Sequence, residues 1–215
     1  MTQDGAAQDG AAGGGAGIVV DGHGIEPLGP ATWPAFADLA ERHNGVWGGC
    51  WCTWFHLYPD PPERRECGNR EFKRRLVEAG RTHAALVMDG DEAIAWAQFG
   101  TVGELRNIHH RKQWEAESVR EPDFRITCLF VDRRFRRQGM AGIAVRGALA
   151  LIAAAGGGLV EAYPHDLEPG RKVSSSFLYN ATRTMYEGLG FTYERPKGKG
   201  NCVMTLTLPV LDPTR

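Results

Sequence analysis

The chain has 215 residues, a length that suits one domain with a sizeable core. It carries 25 Lys and Arg against 26 Asp and Glu, a formal net charge of −1, so no global field recruits nucleic acid or an anionic membrane. The five scattered cysteines do not suit a secreted disulfide scaffold, and neither an export signal nor a membrane-length apolar run is present, so we expect a cytoplasmic protein.

Residues 1–17 contain glycine, alanine and small polar groups with almost no large apolar side chain. Such a composition cannot offset the entropy of ordering, so we predict a disordered tail followed by one domain over residues 18–215. The domain should begin with a strand over residues 18–28. A helix over residues 32–43 follows, with Thr32 at its N-cap.

An aromatic stretch at residues 47–58 also contains Cys50, Cys52 and His56. Thiolate and imidazole groups suit zinc, but structural zinc sites usually show two ligand pairs, so we favour buried cysteines among tryptophans and no metal. The charged residues 63–81 carry apolar side chains at helical spacing. We expect a solvated amphipathic helix there.

Apolar runs at residues 84–88 and 93–99 flank an Asp-Gly-Asp turn and predict a β-hairpin. Residues 104–121 are highly charged and are either a surface helix or lid, or a solvated connection. His109 and His110 within them are expected on a solvated face.

The segment Phe124–Val131 is β-branched and aromatic, as expected of a buried strand. Residues 139–155 are apolar nearly all round, which is typical of a buried helix, and residues 159–163 form another strand. The order strand, turn, helix, strand favours a crossover unit with parallel or mixed pairing. The Gly156-Gly157-Gly158 run lies between helix and strand, the reverse of a dinucleotide-binding fingerprint.

The turn before this helix concentrates positive charge. A helix N-terminus leaves amides unpaired and carries a partial positive charge, and Gly139, Ala141 and Gly142 let a phosphate approach closely. Charge-assisted contacts to phosphate are expected from Arg133, Arg134, Arg136 and Arg137. The pattern indicates a local anion site; a solvated basic turn is the alternative.

The pattern Arg136-x-x-Gly139-x-Ala141, placed between a strand and a helix, resembles the main signature of the GNAT superfamily of N-acetyltransferases. Tyr186-x-x-x-Gly190-Phe191 resembles the family's Y-x-x-x-G-F ending of a later helix. The resemblance implies one α/β domain, with a mixed and mostly antiparallel twisted sheet of six or seven strands flanked by helices. It also implies that acetyl-coenzyme A enters where two central strands diverge.

By the same resemblance, backbone groups of Phe130 and Val131 would hold the pantetheine arm of acetyl-coenzyme A, and Asn180 would contact the coenzyme unless it only caps a helix. The family usually builds its acceptor pocket early in the chain, so the aromatic stretch is expected to shape acceptor choice. The pyrophosphate would be held by Arg136, Arg137, Gln138, Gly139, Met140, Ala141 and Gly142.

Acetyl transfer to an amine needs a neutral nucleophile and an acid for the departing thiolate. Tyr186 is the candidate acid, because a phenol stays protonated at neutral pH; a packing tyrosine is the alternative. Glu161 is the first choice of base, with His165 and Asp166 as other candidates. An ordinary ion-pair role would also explain Glu161.

The sequence therefore predicts an acetyl-coenzyme A-dependent N-acetyltransferase that acts on a small-molecule or peptide amine, without a metal. The alternatives are a non-catalytic coenzyme A-binding module or sensor, and a nucleic-acid-binding protein that uses the arginine cluster. Balanced charge and the lack of a reading motif disfavour nucleic acid. The oligomeric state is left open, a homodimer included.

Overall fold

A computed structural model describes residues 17–167 and 178–209. The residues assigned to a disordered tail lie outside the described part of the chain, apart from Gly17. The described residues form five helices and eight strands. In chain order these are β1 (Ile18–Val20), β2 (His23–Pro27), α1 (Trp33–Glu41), α2 (Pro62–Glu78), β3 (His83–Asp89), β4 (Glu92–Gly100), α3 (Arg111–Glu117), β5 (Phe124–Val131), α4 (Met140–Ala154), β6 (Gly158–Ala162), α5 (Arg183–Glu187), β7 (Thr192–Lys197) and β8 (Asn201–Leu208).

All eight strands form one sheet in the order β1-β2-β3-β4-β5-β6-β8-β7. Every neighbouring pair is antiparallel except β5 and β6, which are parallel and joined through α4. The predicted α/β domain with a mixed, mostly antiparallel sheet is confirmed. Its sheet has more strands than the six or seven expected.

The extra strand comes from residues 18–28, where one strand was predicted. Asp21 and Gly22 both adopt positive φ, 47° and 79°, and turn the chain so that β1 and β2 pair as a hairpin. Asp-Gly is a favoured hairpin turn for this reason, and the single-strand prediction was wrong because it overlooked that turn chemistry. The β3–β4 hairpin was predicted correctly.

Helix α4 packs on one face of the sheet, and at Gly147 its backbone lies directly against side chains of β2 and β3. A Cβ added at Gly147 would lie 2.9 Å from Ile25 Cγ2, closer than real Cβ atoms come, and 3.3 Å from Ala85 Cβ, which is also tight. Glycine is therefore required for this close approach. The apolar face of α4, including Ala144 and Ala148, is fully buried against the sheet.

The opposite face of the sheet carries α1 and the aromatic stretch. Phe36 of α1 and Trp96 of β4 lie in contact there, with ring centroids 4.7 Å apart, and Phe130 of β5 packs 4.9 Å from Trp96. Helix α1 begins and ends within two residues of the predicted bounds. Its burial gives this side of the molecule a second apolar core.

Helix α2 was expected to be a solvated amphipathic helix, and its position and its buried Phe72 and Leu76 agree with that prediction. Lys73 does not, since its side chain is fully buried. The Lys73 ammonium donates to Thr82 Oγ1 at 2.7 Å and to Gln98 Oε1 at 2.8 Å. These hydrogen bonds to Thr82, just before β3, and to Gln98 of β4 stabilise the lysine in its buried position.

Two of the five cysteines are joined, which the sequence did not indicate. Cys52 of the aromatic stretch and Cys128 of β5 form a disulfide, with Cα atoms 6.4 Å apart and a sequence separation of 76. The bond ties the stretch to the centre of the sheet. In the described part of the chain, no helix is long and apolar enough to cross a membrane.

Candidate functional site

The two parallel strands at the centre of the sheet separate after a short paired segment. They pair only from Phe124 with Val160 to Ile126 with Ala162. Beyond that point the N–H of Leu129 donates to the Tyr179 carbonyl at 2.7 Å instead of to β6. The predicted divergence of two central strands is therefore present, with residue 179 beside β5.

An irregularity in β5 accompanies the divergence. Ala97 of β4 pairs with Leu129 and Phe99 pairs with Ile126, so two residue steps on β4 match three on β5. An extra residue of this kind bends a strand and re-aims side chains. Ile126 and Leu129 belong to the core under α4, whereas Cys128 belongs to the core on the opposite face.

A cavity of about 460 Å³ opens at the end of β5 against the start of α4. Gly139 immediately precedes the first helical residue, Met140, and has φ 82°, a left-handed conformation that favours glycine. Nothing lies within 4 Å of a Cβ placed on Gly139, so the space beside its Cα is open. The lining residues are Val131, Phe135, Arg136, Arg137, Gly139, Met140, Ala141, Gly142, Arg146, Thr184, Met185, Gly188 and Leu189.

This cavity fits a pyrophosphate. The first residues of the 15-residue α4 line it, so the unpaired first-turn amides and the partial positive charge of the helix N-terminus lie at its wall. Arg136 and Arg137 line the cavity as expected, and Arg146 joins them from the second turn of α4, where it also forms an ion pair with Asp21. The helical spacing of Arg146 from Gly139 could have indicated this third guanidinium, which the sequence analysis missed.

Arg134 was expected to contact phosphate, but its guanidinium is used elsewhere. It donates to Asp132 Oδ2 at 2.8 Å and forms an ion pair with Glu92. Burial raises the pKa of the Asp132 carboxyl, but the hydrogen bonds from Arg134 and His43 outweigh it and hold this pKa well below its usual value. Arg134 therefore stabilises the turn, and Arg133 does not line the cavity.

The two strand residues expected to hold the pantetheine arm differ in orientation. The Asp132 N–H donates to the Ile94 carbonyl of β4 at 2.9 Å. Because main-chain groups alternate along an antiparallel ladder, those of Phe130 also face β4, and those of Val131 face away from it. Arg136 Nε donates a hydrogen bond to the Val131 carbonyl at 3.4 Å, on the side that faces away from β4.

Two further expected coenzyme contacts, Gln138 and Asn180, have partners within the protein. The Gln138 side chain donates to the Arg134 carbonyl at 3.1 Å, and Gln138 does not line the cavity. Asn180 is buried and donates to the Tyr163 carbonyl at 3.1 Å. Its Oδ1 has no hydrogen-bond partner within the described protein, so one acceptor remains available in a buried position.

Tyr186 lies on α5, between Met185 and Gly188 of the cavity wall. Its side chain is 1% exposed and its ring packs edge-on against Phe191, with centroids 4.9 Å apart. Burial raises the pKa of the Tyr186 hydroxyl well above its usual value, so the group stays protonated. Tyr186 does not itself line the cavity, and its ring belongs to the core under α4, so packing accounts for its position and proton donation stays a prediction.

Glu161 on β6 is 3% exposed and lies on the face opposite α4. Its Oε2 accepts hydrogen bonds from Trp114 Nε1 at 2.8 Å and from the Tyr163 hydroxyl at 2.7 Å. Trp114 belongs to α3, so the charged segment predicted as a surface helix or lid is anchored by a buried tryptophan. His165 and Asp166, the other candidate bases, follow β6, where His165 N–H donates to the Ala181 carbonyl at 3.0 Å.

A second cavity, about 250 Å³ in volume, lies on the same face around Cys128. We call it the aromatic cavity. Trp54 stacks on His109 with centroids 4.2 Å apart, and Trp47 meets Tyr179 edge-on at 6.4 Å. Its lining residues are Trp47, Cys50, Cys52, Trp54, Phe55, His109, Cys128 and Tyr179.

The sequence singled out the aromatic stretch but missed three members of this cavity. His109 was expected on a solvated face; it is exposed, yet stacked at the cavity rim. Cys128 and Tyr179 lie 76 and 127 residues beyond Cys52, and no local pattern connects them. In the described residues, no group of three or more histidine, cysteine, aspartate or glutamate side chains is placed to hold a metal ion.

No protein-family model matches the sequence, and no curated protein matches it either. Solved structures do share its fold. An acetyltransferase of the GNAT family from Streptococcus agalactiae 2603 has a TM-score of 0.51 and 13% identity, covering 89% of this chain and 98% of that one. One from Listeria monocytogenes 4b F2365 has a TM-score of 0.51 and 12% identity, covering 90% and 100%.

The aminoglycoside 6'-N-acetyltransferase from Enterococcus faecium is similar as well, with a TM-score of 0.50 and 17% identity over 87% of this chain and 99% of that one. At such identities the likeness shows the fold alone. The chain has the fold of the GNAT acetyltransferases, as the resemblance of Arg136 to Ala141 and of Tyr186 to Phe191 implied.

Proposed function

We propose that this protein is an acetyl-coenzyme A-dependent N-acetyltransferase. The observation that carries the proposal is the α4 N-terminus behind Gly139, which opens onto a cavity at the end of β5. The amides of the first turn and the guanidinium groups of Arg136, Arg137 and Arg146 would bind the pyrophosphate. The outward-facing main chain of Val131 would bind the pantetheine arm.

In the proposed reaction, the neutral amine nitrogen attacks the thioester carbonyl carbon and a C–N bond forms. The C–S bond then breaks, with its electron pair remaining on sulfur. Tyr186 would supply the proton to the thiolate, for which its raised pKa keeps it in the protonated form. Glu161 would take up the proton that the amine nitrogen loses, with relay through a water or a neighbouring hydroxyl.

Replacement of Tyr186 by Phe tests the chemical step. Removing a general acid typically costs about 10²–10⁴-fold in rate, so we expect kcat to fall at least 100-fold while the dissociation constant for acetyl-coenzyme A stays near the wild-type value. The measurement is thiol release with a panel of amines, beside calorimetry with acetyl-coenzyme A. Tyr193→Phe is the control, since Tyr193 on β7 packs against Arg183 away from the cavity.

Two results would count against the proposal. Wild-type protein that binds acetyl-coenzyme A but acetylates no amine in the panel would support the non-catalytic binding module. Folded protein that does not bind the coenzyme at all would exclude both functions.

A further inference from the structure

The aromatic cavity identifies a class of acceptor. It opens beside the divergence of β5 and β6, and its wall includes Cys128. Val131, three residues later, lines the cavity at the start of α4, which we call the coenzyme cavity. Three strand residues span roughly 10 Å. Both cavities therefore contact β5 beyond Ile126, where it separates from β6, and they lie on opposite faces of the sheet.

The wall of the aromatic cavity consists of rings and sulfur atoms. Trp54 and Phe55 are perpendicular, at 88° with centroids 5.0 Å apart, and Phe55 lies 6.4 Å from Tyr179. Such an arrangement offers both ring faces and ring edges to an inserted aromatic group, the two geometries that aromatic pairs prefer. The half-buried state of Trp47, Trp54 and Tyr179 leaves these surfaces open to a ligand.

The lack of charged groups on the described wall of the aromatic cavity disfavours two other classes of acceptor, polycationic sugars and amino acids. None of its described lining residues is an aspartate or a glutamate, and a polycationic sugar would need several carboxylates to replace its water. An amino acid would bring a carboxylate, for which the lining offers only the imidazole of His109. Partial desolvation of the imidazole, followed by Lys197 and His110, lowers the pKa of His109 and so disfavours a positive charge on that ring.

The size of the cavity fits one ring system. Engineered apolar cavities of about 150 Å³ bind benzene, and this one has about 250 Å³. A protonated amine attached to the ring is tolerated, because aromatic faces attract cations. Only the nitrogen would then extend toward β5.

We propose that the aromatic cavity is the acceptor site and that it binds the ring of an arylalkyl amine with no carboxylate and no second cationic group. The inference depends on the proposed acetyltransferase function, of which it specifies the acceptor.

The test compares full-length protein acting on 2-phenylethylamine, ethylamine and kanamycin, with acetyl-coenzyme A. Ring burial predicts a kcat/KM for 2-phenylethylamine about 100-fold above that for ethylamine, and no preference for kanamycin. Trp54→Ala should lower kcat/KM for 2-phenylethylamine about 10- to 30-fold. Trp33→Phe is the control, since Trp33 stacks on Trp51 outside the cavity.

Cys50→Phe is a second variant, in case Trp54→Ala does not fold. Cys50 is partly exposed on the cavity wall, so a phenyl ring there would fill the space. We expect the ratio of kcat/KM for 2-phenylethylamine to that for ethylamine to approach one. Binding of 2-phenylethylamine alone, followed by saturation-transfer NMR, should be lost in the same variant.

These measurements separate the two proposals. Acetylation of ethylamine or kanamycin at least as efficiently as 2-phenylethylamine would overturn the acceptor assignment and leave the acetyltransferase function intact. If no amine is acetylated, the proposed function fails, and NMR then tests the cavity by itself. Absence of 2-phenylethylamine binding to the wild-type protein overturns the inference.

Discussion

The coenzyme cavity and the aromatic cavity both contact β5, but different chemical groups form their walls. The first is made of main-chain amides behind Gly139, with guanidinium groups around them. The second is made of side-chain rings and a disulfide. Main-chain binding depends on a fixed turn, whereas ring packing depends on several segments being held together.

The difference indicates that the two cavities can change independently of each other. A phosphate site made from a helix N-terminus tolerates change in most side chains around it, provided that the glycine and the small residues remain. An acceptor site made from side chains changes with each substitution. Breaking one cavity should therefore leave the other functional.

The largest expected effect comes from removing the disulfide with the double substitution Cys52→Ala and Cys128→Ala. Closing a loop of 76 residues restricts the unfolded chain, so we expect the free energy of unfolding to fall by about 4 kcal/mol. Urea unfolding measures it, with Cys67→Ala as control. The aromatic cavity should lose its ligand while acetyl-coenzyme A still binds; an unfolding free energy within about 1 kcal/mol of wild type would contradict this.

Substitution of Gly139 by Val should damage only the coenzyme cavity. A branched residue at φ 82° is strained by about 1–3 kcal/mol and would turn the amide away, so we expect acetyl-coenzyme A to bind about 30- to 100-fold more weakly by calorimetry. Gly90→Val is the matched control, because Gly90 in the β3–β4 turn also has positive φ, 59°, and does not line the cavity. Nothing lies within 4 Å of a Cβ placed on Gly90, and affinity should stay within about 0.5 kcal/mol of wild type.

Retention of 2-phenylethylamine binding by Gly139→Val would show that the two cavities are independent. Unchanged affinity for acetyl-coenzyme A in this variant would remove the main support for the helix N-terminus as the phosphate site.

A smaller effect concerns the buried lysine behind the aromatic side. Burial lowers the pKa of Lys73 to about 7, and the unfolded value is about 10.4. Between these values the folded state binds fewer protons, so its stability rises with pH, by up to about 1 kcal/mol per pH unit. The penalty is complete below pH about 7.

Lys73→Met should reduce this slope in urea unfolding between pH 7 and 10. Part of it should remain, because burial also lowers the pKa of Lys197 to about 7. The single variant Lys197→Met is the control and should retain the contribution of Lys73. Identical slopes for Lys73→Met and wild type would contradict the prediction.

Sequence patterns predicted the coenzyme side of the molecule well because its determinants are local. Strand β5, the glycine-led start of α4 and the parallel β6 follow one another within 40 residues, and Gly190 has the positive φ expected after α5. The hairpin at Asp21 and Gly22 was missed although its signal was also local.

The aromatic side was predicted less well because it is assembled from distant segments. Cys128, His109 and Tyr179 come from segments distant in sequence from the aromatic stretch. The burial of Lys73 depends on Thr82, which precedes β3, and on Gln98 of β4. Periodicity within one segment carries no information about such partners. Roles for Tyr186 and Glu161 remain predictions for the same reason.

The close approach of α4 to Ile25 at Gly147 has a consequence for the cavity at the start of the helix. Gly147 lies eight residues after Gly139, roughly 12 Å along the helix axis, and rests directly on the sheet. Any change in the distance between helix and sheet at Gly147 would therefore rotate α4 as a rigid body about this point. A bulkier residue at that point would tilt α4 and swing its far end away from Val131, so a change remote from any ligand would uncouple the anion site from the strand.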